Sequence, residues 1–167
     1  MHTIFESICQ ALQPGKSSFH IRAATEQDQE YIYQITKSAM QAYVEQIFGP
    51  WIDEEQQAII AQSFDANTHA IIQVDENPVG VLAIAIKATH IQLEKLFLLP
   101  RYHNSGIGGK LYKLIQQEAD NLQVPLRLRV LRSNQGPLRF YLRHGLALSE
   151  EAPERFFLEY KPHSIQC

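Results

Sequence analysis

The chain has 167 residues, 45 % of them hydrophobic and 20 % charged, with a formal net charge of −3. This is the size and mix of a single globular domain able to bury roughly 70 per cent of its unfolded surface. It excludes a basic nucleic-acid-binding field, and no stretch reaches the ~18 apolar residues of a membrane-spanning helix.

Residues 1–19 read as an extension. Its Ile4, Phe5, Ile8 and Leu12 fall at helical spacing, and Pro14-Gly15 stops the pattern. The segment lacks the cationic start and long apolar core of a signal peptide. Cys9 and Cys167 lie at opposite ends of the chain, so a disulfide framework is not expected and a reducing cytoplasm is. The seven histidines form no HExxH and accompany no CxxC, so no metal is expected either.

FHIRAAT then predicts a short strand, and TEQDQ opens a helix whose Ile32, Ile35, Ala39, Ala42 and Tyr43 recur close to every 3.6 residues. Phe48-Gly49-Pro50 breaks it. In the next helix, WIDEEQQAIIAQSF, Asp53 and Gln56 have capping-box spacing and Glu54 and Glu55 suit the positive end of the dipole. HAIIQV and VGVLAIAI predict two strands joined through DENP, and IQLEKLFLL a third. The helix GGKLYKLIQQEADNL follows, with Ile107, Leu111, Leu114, Ile115 and Leu122 on one face. LRLRVLRSN alternates with period two, as a strand with one buried face does. GPLRFYLRHG predicts a short helix closed by Gly145, and LALSE and RFFLEYKP a final hairpin. The order β α α β β β α β α β β implies a mixed α/β sheet without internal repeats.

One stretch carries chemistry. LPRYHNSGIGGKL runs from a strand through glycines directly into a helix. Unpaired N–H groups at such a helix start favour an anion, most often phosphate. A Walker A loop does not fit: Leu111 follows Gly109-Lys110 where a hydroxyl should hold magnesium, and Asn104 replaces the first glycine. Gly15-Lys16-Ser17 fails too, with Gln10 at its first-glycine position and no strand before it. A dinucleotide fingerprint starts with Gly106 and Gly108 but ends on Leu111, after several strands rather than the first.

Two blocks together resemble the GCN5-related N-acetyltransferase family. Pro100 and Gly106-Ile107-Gly108 match its acetyl-CoA loop, Q/R-x-x-G-x-G/A after a strand ending V-x-P. Downstream, NQGPLRFYLRHGL is similar to N-x-x-A-x-x-F-Y-x-x-x-G-F, with Asn134, Phe140, Tyr141 and Gly145 aligned without a gap. The start, HIRAATEQD, also resembles the family's first strand and helix. The resemblance covers residues 20–162 as one acetyltransferase domain, leaving 163–167 as a tail. Against the pattern, His103 replaces Gln or Arg, Asn104-Ser105 replace the usual basic or glycine pair, Pro137 replaces alanine and Leu146 replaces phenylalanine.

The resemblance implies a mostly antiparallel central sheet flanked by helices, and acetyl-CoA as co-substrate. It implies direct attack by a primary amine in a ternary complex, without metal. No cysteine near the motifs offers a nucleophile for a covalent intermediate. An acyl-CoA sensor or scaffold of the same fold, with little turnover, is the alternative. The cofactor would lie along main chain at Leu96, Phe97 and Leu98 and in the loop His103, Asn104, Ser105, Gly106, Ile107, Gly108 and Gly109. Tyr141 falls at the family's proton-donor position; otherwise it is a half-buried helical aromatic. Asn134 could bond the CoA chain, cap a helix, or do both.

Glu94 is the candidate base. Strand alternation predicts that Gln92, Glu94, Leu96 and Leu98 share one face, and histone-acetylating members carry a glutamate where this chain has Gln92. A plain ion pair of Glu94 with Lys87 or Arg127 is the competing reading. For the acceptor, a small-molecule or peptide amine, AYVEQIFGPWIDEE offers Tyr43, Glu45, Phe48, Trp51 and Asp53, an aromatic and acidic set suited to a cation. An aromatic core edge plus a helix cap is the alternative there. Exposed sheet edges leave a homodimer open.

Overall fold

The computed structural model describes residues 3–12 and 17–163. Helix α1 (Ile4–Ala11) opens with a reciprocal cap, Glu6 N–H donating to Thr3 Oγ1 at 3.1 Å and Thr3 N–H to the Glu6 carboxylate at 2.6 Å. The stop expected at Pro14-Gly15 lies outside the described residues. Strand β1 (His20–Ala23) leads through one tight turn into α2 (Gln29–Phe48). Arg22 clamps that turn, donating from both terminal nitrogens to Asp28 at 2.8 Å each. Helix α3 (Asp53–Ser63) follows, then β2 (His69–Val74), β3 (Asn77–Ile86) and β4 (Ile91–Leu98). Asp75 and Glu76 at the β2–β3 turn both take positive φ, 49° and 65°, as a two-residue hairpin demands. The glycine loop opens α4 (Ile107–Leu122), and β5 (Leu126–Leu131), α5 (Gln135–Arg143), β6 (Ala147–Glu151) and β7 (Arg155–Tyr160) complete the chain.

The seven strands form one sheet in the order β1-β2-β3-β4-β5-β7-β6. Every neighbouring pair is antiparallel except β4–β5. One face carries α1, α4 and α5 over Ile72, Leu82, Ile84, Leu93 and Leu128; the other carries α2 and α3 over Ile71 and Val81. Helix α1 adds Ile4, Phe5 and Ile8 to the larger core, so the amphipathic stripe of the extension is a packing surface. Among the described residues no helix is long and apolar enough to cross a membrane.

Three local expectations change. The α4 stripe runs through Ile107, Leu111, Tyr112, Ile115 and Ala119, and Leu122, the last residue of the helix, is exposed. On α2 the buried residues are Ile32, Tyr33 and Ile35, while Ala42 is exposed. Asp53 does not cap α3. It is the first helical residue, and its carboxylate accepts instead from the Tyr33 hydroxyl and from Lys37 Nζ.

Candidate active site

A break in the middle of the sheet builds the site. Strands β4 and β5 pair only at Ile91–Leu126 and Gln92–Arg127, then separate. Just past the last paired residue β4 takes an extra one: Leu93 faces Ile84 and Lys95 faces Ala83, leaving Glu94 unmatched in a β-bulge. The bulge shifts the strand's alternation by one. Leu93 packs toward α4, and beyond the bulge so do Leu96 and Leu98, whereas Phe97 and Leu99 pack toward α2 and α3. Gln92 pairs with Ala85 and Lys95 with Ala83, which share the α2 side with Val81. The regular alternation expected through residues 92–98 is thus corrected. Gln92 lies on the face opposite Leu96 and Leu98.

The main chain beyond the bulge faces two ways. Leu99 N–H donates to the Val79 carbonyl at 2.8 Å, toward β3. The Phe97 carbonyl also faces β3, where a Cβ on Gly80 would collide with it. The Leu98 carbonyl faces the opposite way and accepts from His103 Nε2 at 3.0 Å, and alternation sends the Leu96 groups with it. The backbone edges of Leu96 and Leu98 therefore border the gap left by β5, and that of Phe97 belongs to the sheet.

The loop after β4 ends against this gap. A tight turn at Pro100–Tyr102 is followed by His103, whose bond to Leu98 folds the loop back on the strand end. Ser105 Oγ donates to the Tyr102 carbonyl. Asn104 and Gly106 adopt positive φ, 59° and 88°, and Gly106 is the residue from which α4 starts. Nothing stands within 4 Å of a Cβ built on Gly106, and only Leu98 Cδ1, at 3.8 Å, near one on Gly108. The start of α4 thus borders open space, with the Ile107 N–H meeting Ser105 Oγ at a long 3.5 Å, a fit for a phosphate group. Gly109 lies beside His144 instead, 3.6 Å from a would-be Cβ to Nε2.

Two buried polar side chains close the far wall. Asn134 precedes α5 and is 7 % exposed, yet its side chain makes no capping bond, so the helix-cap alternative falls away. Tyr141 is 8 % exposed, with its ring edge-on to Tyr112 and Phe140 at centroid distances of 5.7 and 5.1 Å. Burial raises its hydroxyl pKa, so the phenol keeps its proton at neutral pH. Both residues line a cleft of about 100 Å³ with Leu96, Phe97, Leu131 and Met40. This inner cleft continues into a groove of about 550 Å³ over β5, β7 and β6, sharing Glu94, Leu128 and Arg129 with it.

Glu94 stands where cleft and groove meet. Its carboxylate accepts from Arg129 of β5 at 3.2 Å, while Arg127 pairs with Glu159 at 2.7 Å. The ion-pair partner is therefore neither Lys87 nor Arg127. Arg129 was not singled out from the sequence. LRLRVL shows only that its side chain opposes Leu128, not that β5 lies beside β4. Met40 and Lys95 were missed too, since helical and strand periodicity alike leave them unremarkable.

The proposed acceptor set is dispersed. Glu45 accepts from Gln41 Nε2 at 3.0 Å and from Trp51 N–H at 3.2 Å, bonds that hold its carboxyl below the usual range. Trp51 donates from Nε1 to Tyr33 Oη at 3.0 Å. With Asp53 and Lys37 these groups brace the α2–α3 junction and do not line the cleft. Tyr43, one turn beyond Met40, accepts at its carbonyl from Ser133 Oγ at 2.8 Å, tying α2 to the end of β5.

This arrangement has matches. The model of the acetyltransferase (GNAT) family fits residues 31–146. The chain belongs to the GNAT acetyltransferase family. Among solved structures, the PaiA N-acetyltransferase of Thermoplasma acidophilum in complex with coenzyme A superposes with a TM-score of 0.68 at 19 % identity, covering 86 % of this chain and 99 % of its own. The ribosomal-protein-S18-alanine N-acetyltransferase of Escherichia coli gives 0.66 at 15 %, covering 89 % and 97 %. Arabidopsis thaliana Naa50 with the bisubstrate analogue CoA-Ac-MVNAL gives 0.60 at 14 %, covering 86 % and 99 %. No curated protein matches this chain in sequence. At these identities the structures speak for the shared fold, a mostly antiparallel sheet flanked by helices.

Proposed function

We propose that this GNAT domain moves the acetyl group of acetyl-CoA to a primary amine by direct attack within a ternary complex. The observation that carries the reading is the pairing of Asn134 and Tyr141. Both are buried, and both line the cleft between β4 and β5. A site that only held acyl-CoA would not need a protonated phenol there.

The groups divide the work. The N–H groups at Gly106, Ile107 and Gly108 take the pyrophosphate, assisted by the α4 dipole. Asn134 bonds the pantetheine chain. The thioester lies along β4, where N–H groups of Leu96 and Leu98 can stabilise the oxyanion. An alkylammonium near pKa ~10.4 must lose a proton before it attacks, costing about 4–5 kcal/mol at pH 7. Glu94, at the mouth, receives that proton directly or through water. Collapse of the tetrahedral adduct expels the CoA thiolate, and Tyr141 donates a hydrogen bond to it. Because a phenol, and a buried one more so, is a weaker acid than a thiol, Tyr141 stabilises the departing sulfur and relays to it the proton that the adduct's nitrogen gives up, rather than ending as phenolate. Cys9 takes no part: it sits on α1, with Sγ 3.5 Å from the Ile21 carbonyl, remote from the cleft.

Calorimetric titration with acetyl-CoA, with NADH and ATP as controls, tests the first half of this reading. Saturable binding of acetyl-CoA alone is expected, followed by amine-dependent release of free thiol. Binding without thiol release from any amine would favour a sensor, and no binding would withdraw the reading.

A further inference from the structure

The acids expected to greet a cationic amine are committed elsewhere, and that leaves the cleft with a charge of the opposite sign. Asp53 is paired to Lys37 and Glu45 braces a turn. Of the ionisable groups lining the inner cleft, Glu94 and Arg129 neutralise each other at 3.2 Å. Tyr141 stays neutral. Lys95 remains, half-buried, with no hydrogen bond or ion pair to any described residue.

The bulge is what brings it there. It turns Lys95 to the α2 side, opposite Ala83, the small residue that leaves room for its aliphatic stem. Its charged neighbours are few. Glu94 adjoins it in the strand, already engaged by Arg129. His69 of β2 lies beyond Ala83, buried and accepting no share of the charge: its Nδ1 is held by the Asp65 carbonyl at 3.0 Å and Thr68 Oγ1 at 2.9 Å. Burial lowers the pKa of both Lys95 and His69; the Lys95 cation lowers that of His69 further, and Glu94 opposes the lowering at both. A cation kept partly out of water without a partner is costly. A bound anion would relieve it.

Resting on the acetyl-transfer reading, we propose that Lys95 is a carboxylate-binding residue for the acceptor, so that the preferred substrate is a primary amine carrying a carboxylate in the same molecule. The wider groove is balanced, its unpaired cation Lys87 offsetting its unpaired Glu150, so nothing there reverses the surplus set by Lys95. An acceptor of this kind satisfies two demands at once. Its amine faces the thioester end of the cleft, and its carboxylate supplies the missing partner of the ammonium.

The experiment compares acetyl transfer to three dipeptide amides differing only at the first residue, aspartyl, asparaginyl and lysyl, and to free aspartate, in wild type, Lys95→Met and Lys95→Glu. Wild type should favour the aspartyl over the asparaginyl peptide by tenfold or more in kcat/KM, mostly through KM. Transfer to free aspartate but not to the peptides would support the same subsite with a small amino acid as acceptor. The preference should fall within about twofold in Lys95→Met and reverse in Lys95→Glu. Equal use of all peptides, or a wild-type preference that survives in Lys95→Met, overturns the proposal. So does a kcat loss in Lys95→Met that is uniform across acceptors, which would mark Lys95 as a base. If acetyl-CoA binds but no acceptor reacts, the transfer reading has failed, and titration of the CoA-loaded protein with aspartyl dipeptide amide decides the subsite separately. Binding weakened in Lys95→Met supports it, and no binding, or binding unaltered in that variant, overturns it.

Discussion

The two sides of the cleft are made of different material. The side beside the glycine loop is chiefly main chain: helix-start N–H groups, the backbone edge of Leu96 and Leu98, and a glycine held at φ 88°. The side beneath α2 is chiefly side chains: the Glu94–Arg129 pair, Lys95 and Met40. Main-chain sites tolerate exchange of neighbouring side chains, which is how His103, Asn104 and Ser105 can depart from the usual pattern while the loop keeps its shape. A side-chain site changes its preference with each exchange. One family can thus share a donor and differ in acceptors.

Substitutions can break or sharpen that contrast. The largest effect is expected for Tyr141→Phe, where kcat should fall by roughly 10²–10⁴-fold while acetyl-CoA affinity stays near wild type. Steady-state kinetics beside calorimetry separates the two, and unchanged turnover would remove the phenol from the chemistry. Gly106→Val should act on the other quantity. A β-branched residue at φ 88° carries strain of about 1–3 kcal/mol, so the dissociation constant for acetyl-CoA should rise roughly 10–100-fold with circular dichroism unchanged. Normal affinity in that variant would place the phosphates elsewhere.

Asp28→Asn probes the footing of α2 and not its face toward the cleft. The Arg22 guanidinium, with help from the Thr25 N–H, holds the Asp28 carboxyl down at about 2 from its ordinary 3.8. A depressed carboxyl stabilises the fold above its unfolded pKa, and that contribution disappears as pH falls through the folded value. The variant should therefore lose about 1–2 kcal/mol at pH 7, with Arg22 partly exposed. In urea titrations the deficit should shrink between pH 4 and 2. A deficit unchanged at pH 2 would mean packing, not charge, holds that turn. The smallest effect belongs to Glu45→Gln: as a brace for Trp51 and not an amine contact, it should alter the acceptor KM by less than about twofold. A tenfold rise would return Glu45 to the acceptor site.

What could be read in advance follows the same division. The glycine loop is a local arrangement, and GIGGKL after LFLLP contains nearly all of it. Helix α1 was legible for a related reason, since Ile4, Phe5 and Ile8 state its buried face within one short segment. The parting of β4 from β5 is not local, because it depends on two strands 35 residues apart, as the bond from Arg129 to Glu94 records. Nor is the bulge: IQLEKLFL reads as regular alternation until its pairing with β3 shows one residue too many. Asp53 and Glu45 were misread on similar grounds. Composition cannot show that Lys37, 16 residues earlier, already holds one of them.

That extra residue makes β4 sensitive to register. Were the bulge lost with Glu94 kept, Glu94 would pair with Ala83 and every later residue would slip by one, turning the Phe97 ring toward α4 and Leu96 and Leu98 toward α2. The backbone edges would trade places as well, so that Phe97 bordered the gap and its neighbours faced β3. No compensating substitution at one position could undo this, because both helical layers would meet the wrong side chains together. Removing Glu94 itself would erase the bulge and leave Lys95 to Leu98 on their present faces, so what the bulge protects is the pairing of β4 with β3 and not the length of the strand.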